Sequence, residues 1–134
     1  MDFSDIGIGM ITRQTFFVSE ERVRAFAELT GDMNPVHLDE EFAKSTQFGR
    51  RIAHGMLVSS FISKVLGRDF PGDGTIYVAQ KVRFRRPVFI GDTVVVEVEV
   101  TEKNEEKRRL ILRTDVINES GEKVIIGEAE VMKP

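Results

Sequence analysis

Apolar positions repeat with different periods in the two halves of the chain. Over residues 19–30, Val23, Phe26, Ala27 and Thr30 keep the i, i+3, i+4, i+7 spacing of a helix with one buried stripe. Ser19 is a suitable N-cap, Glu20 and Glu21 lie at the positive end of the helix dipole, and Gly31 ends the segment. Pro35 pushes Asn34 toward an extended backbone, so the start of residues 32–39 is predicted to be non-helical, with a short helical turn over Glu40–Ser45. Residues 55–66 are apolar on most sides and are predicted as a helix buried inside the domain. Beyond Pro71-Gly72-Asp73-Gly74 the period falls to two. Residues 75–85 place Ile76, Val78, Gln80, Val82 and Phe84 on one strand face. Thr93–Val100 sets Val94, Val96, Val98 and Val100 opposite Thr93, Val95, Glu97 and Glu99. Residues 108–117 and 123–132 read as two more strands around the turn Asn118-Glu119-Ser120-Gly121, and residues 10–18 supply a fifth. Charge-rich Glu102–Arg109 reads as a solvated hairpin connection. A helix-containing first half and an antiparallel meander predict an α+β fold, one sheet packed on a mostly buried helix.

Composition narrows the function classes. The 134 residues fit one domain, 1–134, without internal repeat or linker. With 41% apolar residues the chain can build a core, and 19 basic against 22 acidic residues leave no electrostatic footprint of a nucleic-acid binder. The absence of cysteine excludes a disulfide scaffold, a thiolate nucleophile, a cysteine zinc site and a cysteine-ligated iron–sulfur cluster. No apolar run approaches the roughly 18–20 residues needed to cross a bilayer. The acidic N-terminus lacks the pattern of a signal peptide. The expectation is a soluble cytoplasmic protein with neither a membrane nor a nucleic acid as partner.

The candidate chemistry gathers around two histidines. His37 follows Asp32, Asn34 and Pro35 in a stretch that leaves a helix at Gly31 and then turns. Such a segment can bring an Asp and a His five residues apart together over a cavity, as general acid–base work requires. Asp32 also suits a simple turn closure, and Asp39 fits an N-cap for the next short helix better than a catalyst. Asp32, His37 and Asp39 carry metal-type donors, but none of their spacings is the i, i+4 pair of a helical zinc site, so no metal is expected. His54 stands just before Gly55, at the start of the 55–66 helix. There the free N–H groups and the dipole favour a partial negative charge, and a residue without a side chain lets a ligand approach its amide. The same glycine would equally relieve crowding, and the residues leave both readings open. Lys81, Arg83, Arg85 and Arg86 read as a solvated face, with a phosphate contact as the alternative.

Asp32-x-Asn34-Pro35-x-His37-x-Asp39, then Phe48 and Ile52-Ala53-His54-Gly55-Met56-Leu57, resembles the signature of the MaoC-like (R)-specific enoyl-CoA hydratases. Phe84-x-x-Pro87-Val88-x-x-Gly91-Asp92 is similar to that family's strand-to-strand connection. The resemblance runs over nearly the whole chain, whose length suits the short bacterial-type hydratases of polyhydroxyalkanoate supply. It implies a hot-dog fold, an antiparallel sheet wrapped around a long central helix, and a homodimer. It implies that Asp32 and His37 are the catalytic pair, adding water to a trans-2-enoyl-CoA thioester to give the (3R)-hydroxyacyl-CoA, with no cofactor. It further places Gly55, Ser63, Asn34 and His54 in the oxyanion and substrate-binding set. Two alternatives share these residues: a (3R)-hydroxyacyl-acyl carrier protein dehydratase of fatty-acid synthesis, and a non-catalytic acyl-CoA-binding module.

Overall fold

The computed structural model describes residues 1–134. Strand β1 (Ile11–Phe17) leads through Val18 and Ser19 into α1 (Glu20–Thr30). Two short helices follow, α2 (Pro35–Leu38) and α3 (Glu40–Lys44), and then the longer α4 (Gly55–Lys64). Strands β2 (Ile76–Phe84), β3 (Thr93–Asn104), β4 (Arg109–Asn118) and β5 (Lys123–Met132) complete the chain. All pairings are antiparallel, and the sheet order is β1-β3-β4-β5-β2. Strands β3, β4 and β5 are a meander because tight turns join them, while β1 and β2 are added at its two edges.

The valine alternation of β3 holds: Val94, Val96, Val98 and Val100 are all buried. They share one core with Leu110, Leu112 and Val116 of β4, with Val124, Ile125, Ala129 and Val131 of β5, and with Leu57, Val58, Phe61 and Ile62 of α4. Phe16 of β1 stacks on Phe61 with ring centroids 4.5 Å apart and planes within 2°. Helix α4 therefore lies in the hollow of the sheet, which is the hot-dog arrangement in an α+β fold. No helix is long and apolar enough to cross a membrane.

Four details depart from the sequence pattern. Strand β3 continues to Asn104, four residues past Val100, because a register shift between Val100 and Glu102 lets charged residues keep the backbone ladder with β4. Ladder bonds need no apolar side chains, so hydropathy did not reveal them. Residues 32–34 are non-helical and Asn34 has ψ 124°, as Pro35 predicts, but Pro35 itself then starts an unpredicted helical turn: it occupies the first position of α2, where its missing N–H costs nothing, and the Asn34 side chain accepts from Val36 N–H at 3.2 Å. Helix α4 is buried on one face only, for Met56, Ser60 and Ser63 face outward. Strand β2 is exposed over most of its length, and a bulge between Tyr77 and Ala79 breaks its alternation.

Candidate active site

The first acidic group is placed by the end of α1. Gly31 adopts φ 83°, a left-handed conformation that a side chain would disfavour, and its N–H donates to the Ala27 carbonyl at 2.8 Å. The chain turns there, and Asp32 N–H donates to Thr30 Oγ1 at 3.1 Å. One carboxylate oxygen of Asp32 accepts from Asn34 N–H at 3.3 Å, which closes the turn and leaves the other oxygen for a ligand. The turn-closing reading of Asp32 is therefore realised, and the side chain also lines a cavity.

His37 sits on α2, held at both ends. Its Nδ1–H donates to the Ile52 carbonyl at 2.7 Å, so in the neutral ring the lone pair is on Nε2. Arg51 donates through Nε to the His37 carbonyl at 2.7 Å and through its guanidinium to Glu20 at 3.0 Å, tying α2 to the start of α1. Burial holds the imidazole below the usual histidine range. The Ile52 bond and the Asp32 charge work against that shift, and neighbouring His54 adds to it. A neutral imidazole with a free Nε2 is what a base at neutral pH requires.

His54 is 2% exposed. Its ring stacks against His37 with centroids 3.9 Å apart and planes at 29°, and packs on Phe26 at 4.9 Å. Its Nε2–H donates to the Asp32 backbone carbonyl at 3.0 Å, and Nδ1 is buried without a partner. An unpaired buried acceptor of this kind costs about 1–3 kcal/mol. Asp32, His37 and His54 each bring one nitrogen or carboxylate oxygen within 4.8 Å of the others. Lone pairs lie in the ring planes, so two stacked imidazoles direct them side by side rather than toward one ion. The cluster suits acid–base chemistry better than coordination.

The third component is the start of α4. The N–H groups of Gly55, Met56 and Leu57 find no acceptor, and the first bond of the turn is Val58 N–H to the His54 carbonyl. A Cβ on Gly55 would lie 2.7 Å from Cε1 of Phe84, so this position both presents a bare amide and receives an aromatic ring. Asp32, His37, His54, Gly55 and Phe84 share a cavity of about 440 Å³ with Arg85 and Arg86 at its rim. The preceding segment is pinned by Ala53 N–H to the Val88 carbonyl at 2.7 Å and by an Ile52–Phe89 bridge.

The remaining expected residues lie elsewhere. Asn34 does not line the cavity; it caps α2 and so places His37. Ser63 does not reach it either, and instead lines a separate groove of about 420 Å³ between the open face of α4 and β2. Asp39 caps α3 by accepting from Phe42 N–H at 3.1 Å. Sequence reasoning missed Arg51 and the Ile52 carbonyl. Arg51, a basic residue beside the Ile52-Ala53-His54-Gly55 stretch, carried a weak signal, whereas a backbone carbonyl carries none.

Comparison with known proteins places this geometry in a family. Residues 3–121 match the family model described as "MaoC like domain". The chain is 42% identical over 134 residues to an (R)-specific enoyl-CoA hydratase of Aeromonas caviae, covering 100% of each chain. It is 46% identical over 132 residues to an (R)-specific enoyl-CoA hydratase of Rhodospirillum rubrum, covering 98% of this chain and 91% of that one. Among solved structures, the unliganded R-hydratase PhaJ1 of Pseudomonas aeruginosa superposes with a TM-score of 0.95 at 44% identity, over 99% of this chain and 85% of the other.

Proposed function

The chain belongs to the MaoC-like domain family, and we propose that it is an (R)-specific enoyl-CoA hydratase that converts trans-2-enoyl-CoA to (3R)-hydroxyacyl-CoA. The observation that carries this reading is the convergence of a free imidazole nitrogen, a half-free carboxylate and an unpaired helix amide on one cavity.

In this reading the thioester oxygen accepts from Gly55 N–H, where the α4 dipole adds to the stabilisation of charge that develops as water attacks. Asp32 and His37 hold the water between them. His37 Nε2 takes one proton as the hydroxyl oxygen bonds to C3 and the C2–C3 π electrons move toward the carbonyl. The enolate collapses as His37 Nε2 gives up that proton, which Asp32 relays to C2, so one water is added and both side chains return to their starting states. The thioester carbonyl is the electron sink, and no cofactor enters. Arg85 and Arg86 at the rim suit the phosphates of coenzyme A.

A homodimer belongs to the same reading. Strand β2 has one edge unpaired, with Ile76, Tyr77 and Val78 exposed along it, and such an edge is a liability unless another strand or segment covers it. A second copy seated there brings the Ser63 groove to the interface, where it can take part in acyl binding.

Incubation with crotonyl-CoA, followed by chiral analysis, tests the activity. The expected product is (3R)-hydroxybutyryl-CoA, formed equally well in the presence of a chelator. The (3S) product, release of free thiol, or substrate binding without loss of the enoyl absorbance overturns the reading. Light scattering under assay conditions should give twice the mass of the chain, and a fully active monomer contradicts the dimer.

A further inference from the structure

His54 is the one buried titratable side chain of the site that the hydration steps do not use. Both ring nitrogens are out of a ligand's reach, since Nε2–H is spent on the Asp32 carbonyl and Nδ1 is buried. A substrate contact is therefore the wrong role for it. What its ring touches instead is two of the working parts, and its main chain leads into the third. Its N–H bond fixes the backbone of Asp32, 22 positions earlier in the chain. Its ring face lies 3.9 Å from that of His37. Its own peptide leads directly into Gly55, and its carbonyl accepts the first bond of α4 from Val58 N–H at 3.2 Å.

We propose that His54 is the positioning residue of this site, a single buried ring that holds the acid loop and the base in register. The proposal rests on the hydratase reading for its kinetics but not for its structural readout. Asp32 and Nε2 of His37 must share one water, and an error of about 1 Å in such a geometry costs on the order of 10²-fold in rate. Neither Asp32, on an exposed turn, nor α2, a helix of four residues, is rigid by itself. The alternative support for His37 comes from Arg51 and Ile52, which hold its backbone and Nδ1 but leave the tilt of the ring open. Stacking on His54 closes that freedom, and Phe26 backs the stack from α1.

His54→Phe keeps the ring face and removes the bond to Asp32, while His54→Gln keeps an N–H donor and removes the stack. The chain has two histidines, so either variant leaves His37 as the only imidazole and makes its NMR ring resonances unambiguous. The charged groups around His37 that remain are Asp32 and Arg51, with Arg85 and Arg86 at the rim. Both variants are expected to lower kcat on crotonyl-CoA by about 10–100-fold with KM within about threefold. His54→Gln, which removes the stack, should broaden and shift the His37 ring resonances, while His54→Phe keeps the ring face and should leave them sharp, its loss of rate coming from the freed Asp32 loop. A folded variant with kcat within about twofold of the parent, or His37 ring resonances unchanged in His54→Gln, overturns the proposal. If the unmodified protein fails to hydrate crotonyl-CoA, the hydratase reading falls, and the His37 ring resonances alone still decide whether His54 positions the base.

Discussion

Gly55→Ala separates the two reasons for a glycine at the start of α4. The added Cβ lies 2.7 and 2.8 Å from Cε1 and Cδ1 of Phe84 and 3.3 Å from Cζ. Ordinary carbon contacts are about 3.5–4.0 Å, so the ring or the first turn of α4 must shift by roughly 1 Å. Overpacking costs about 1–3 kcal/mol, and the half-exposed Phe84 ring has room to swing, which points to about 1 kcal/mol. For a chain of this length that is a fall in Tm of about 3–5 °C, read by thermal denaturation. The effect on rate should be larger, because displacing one oxyanion donor costs about 10²–10³-fold in kcat. Initial rates on crotonyl-CoA measure it. In a Phe84→Ala background the ring is absent, so the same Gly55→Ala change should cost little stability and recover most of its rate penalty. Equal losses in the two backgrounds would refute displacement of the amide by the ring, and an unchanged kcat in Gly55→Ala would remove the amide from the mechanism altogether.

Asp32→Asn and His37→Gln should each lower kcat by about 10²–10⁴-fold with small changes in KM, and the double variant should be little worse than the worse single one, because the two hold one water. The His37 pKa is lowered, so the base stays neutral as pH falls past the ordinary histidine value, and the acid limb of kcat/KM should have its midpoint below 6.5. Asp39→Ala removes the cap of α3 and should cost about 1 kcal/mol of stability with kcat unchanged; a lost kcat would show that the carboxylates were assigned wrongly. Asp115 is almost fully buried; burial raises its pKa, but Lys123, Arg113 and the Gly127 N–H outweigh that and hold it below the usual value. Its contribution is therefore present above the unfolded aspartate pKa of about 3.9 and is lost as pH falls through the lower folded value. Asp115→Asn should cost about 1.5–3 kcal/mol near neutrality in urea unfolding, and the difference should shrink in acid.

The parts of the site that could be read from sequence are those that one short stretch supplies in its own side chains. Asp32, His37 and Gly55 lie within 24 consecutive positions, and each carries its chemistry in its residue type: a carboxylate after a helix-ending glycine, an imidazole after a proline, a bare amide before an apolar helix. The unread parts are those where the active group is a backbone atom or a neighbour in space. The Ile52 carbonyl decides which nitrogen of His37 is basic, yet any residue type at position 52 offers the same carbonyl. Phe84 reaches Gly55 from an edge strand 29 positions away, and neither its strand face nor the Phe84-x-x-Pro87 stretch says which residue its ring meets. Helix α4 and strand β2 were over-buried on paper for a related reason. Hydropathy measures what a residue tolerates and not which face meets the core, so Met56 and Val78 count as interior until the structure turns them outward. Those two exposed faces border the Ser63 groove. Within one chain, then, part of the open apolar surface, Met56, Ile76, Tyr77 and Val78, lies where a second copy is proposed to sit. A substitution that charges it, Val78→Lys, should give a folded monomer, and any loss of hydratase activity in that monomer measures how much of the acyl site the partner completes.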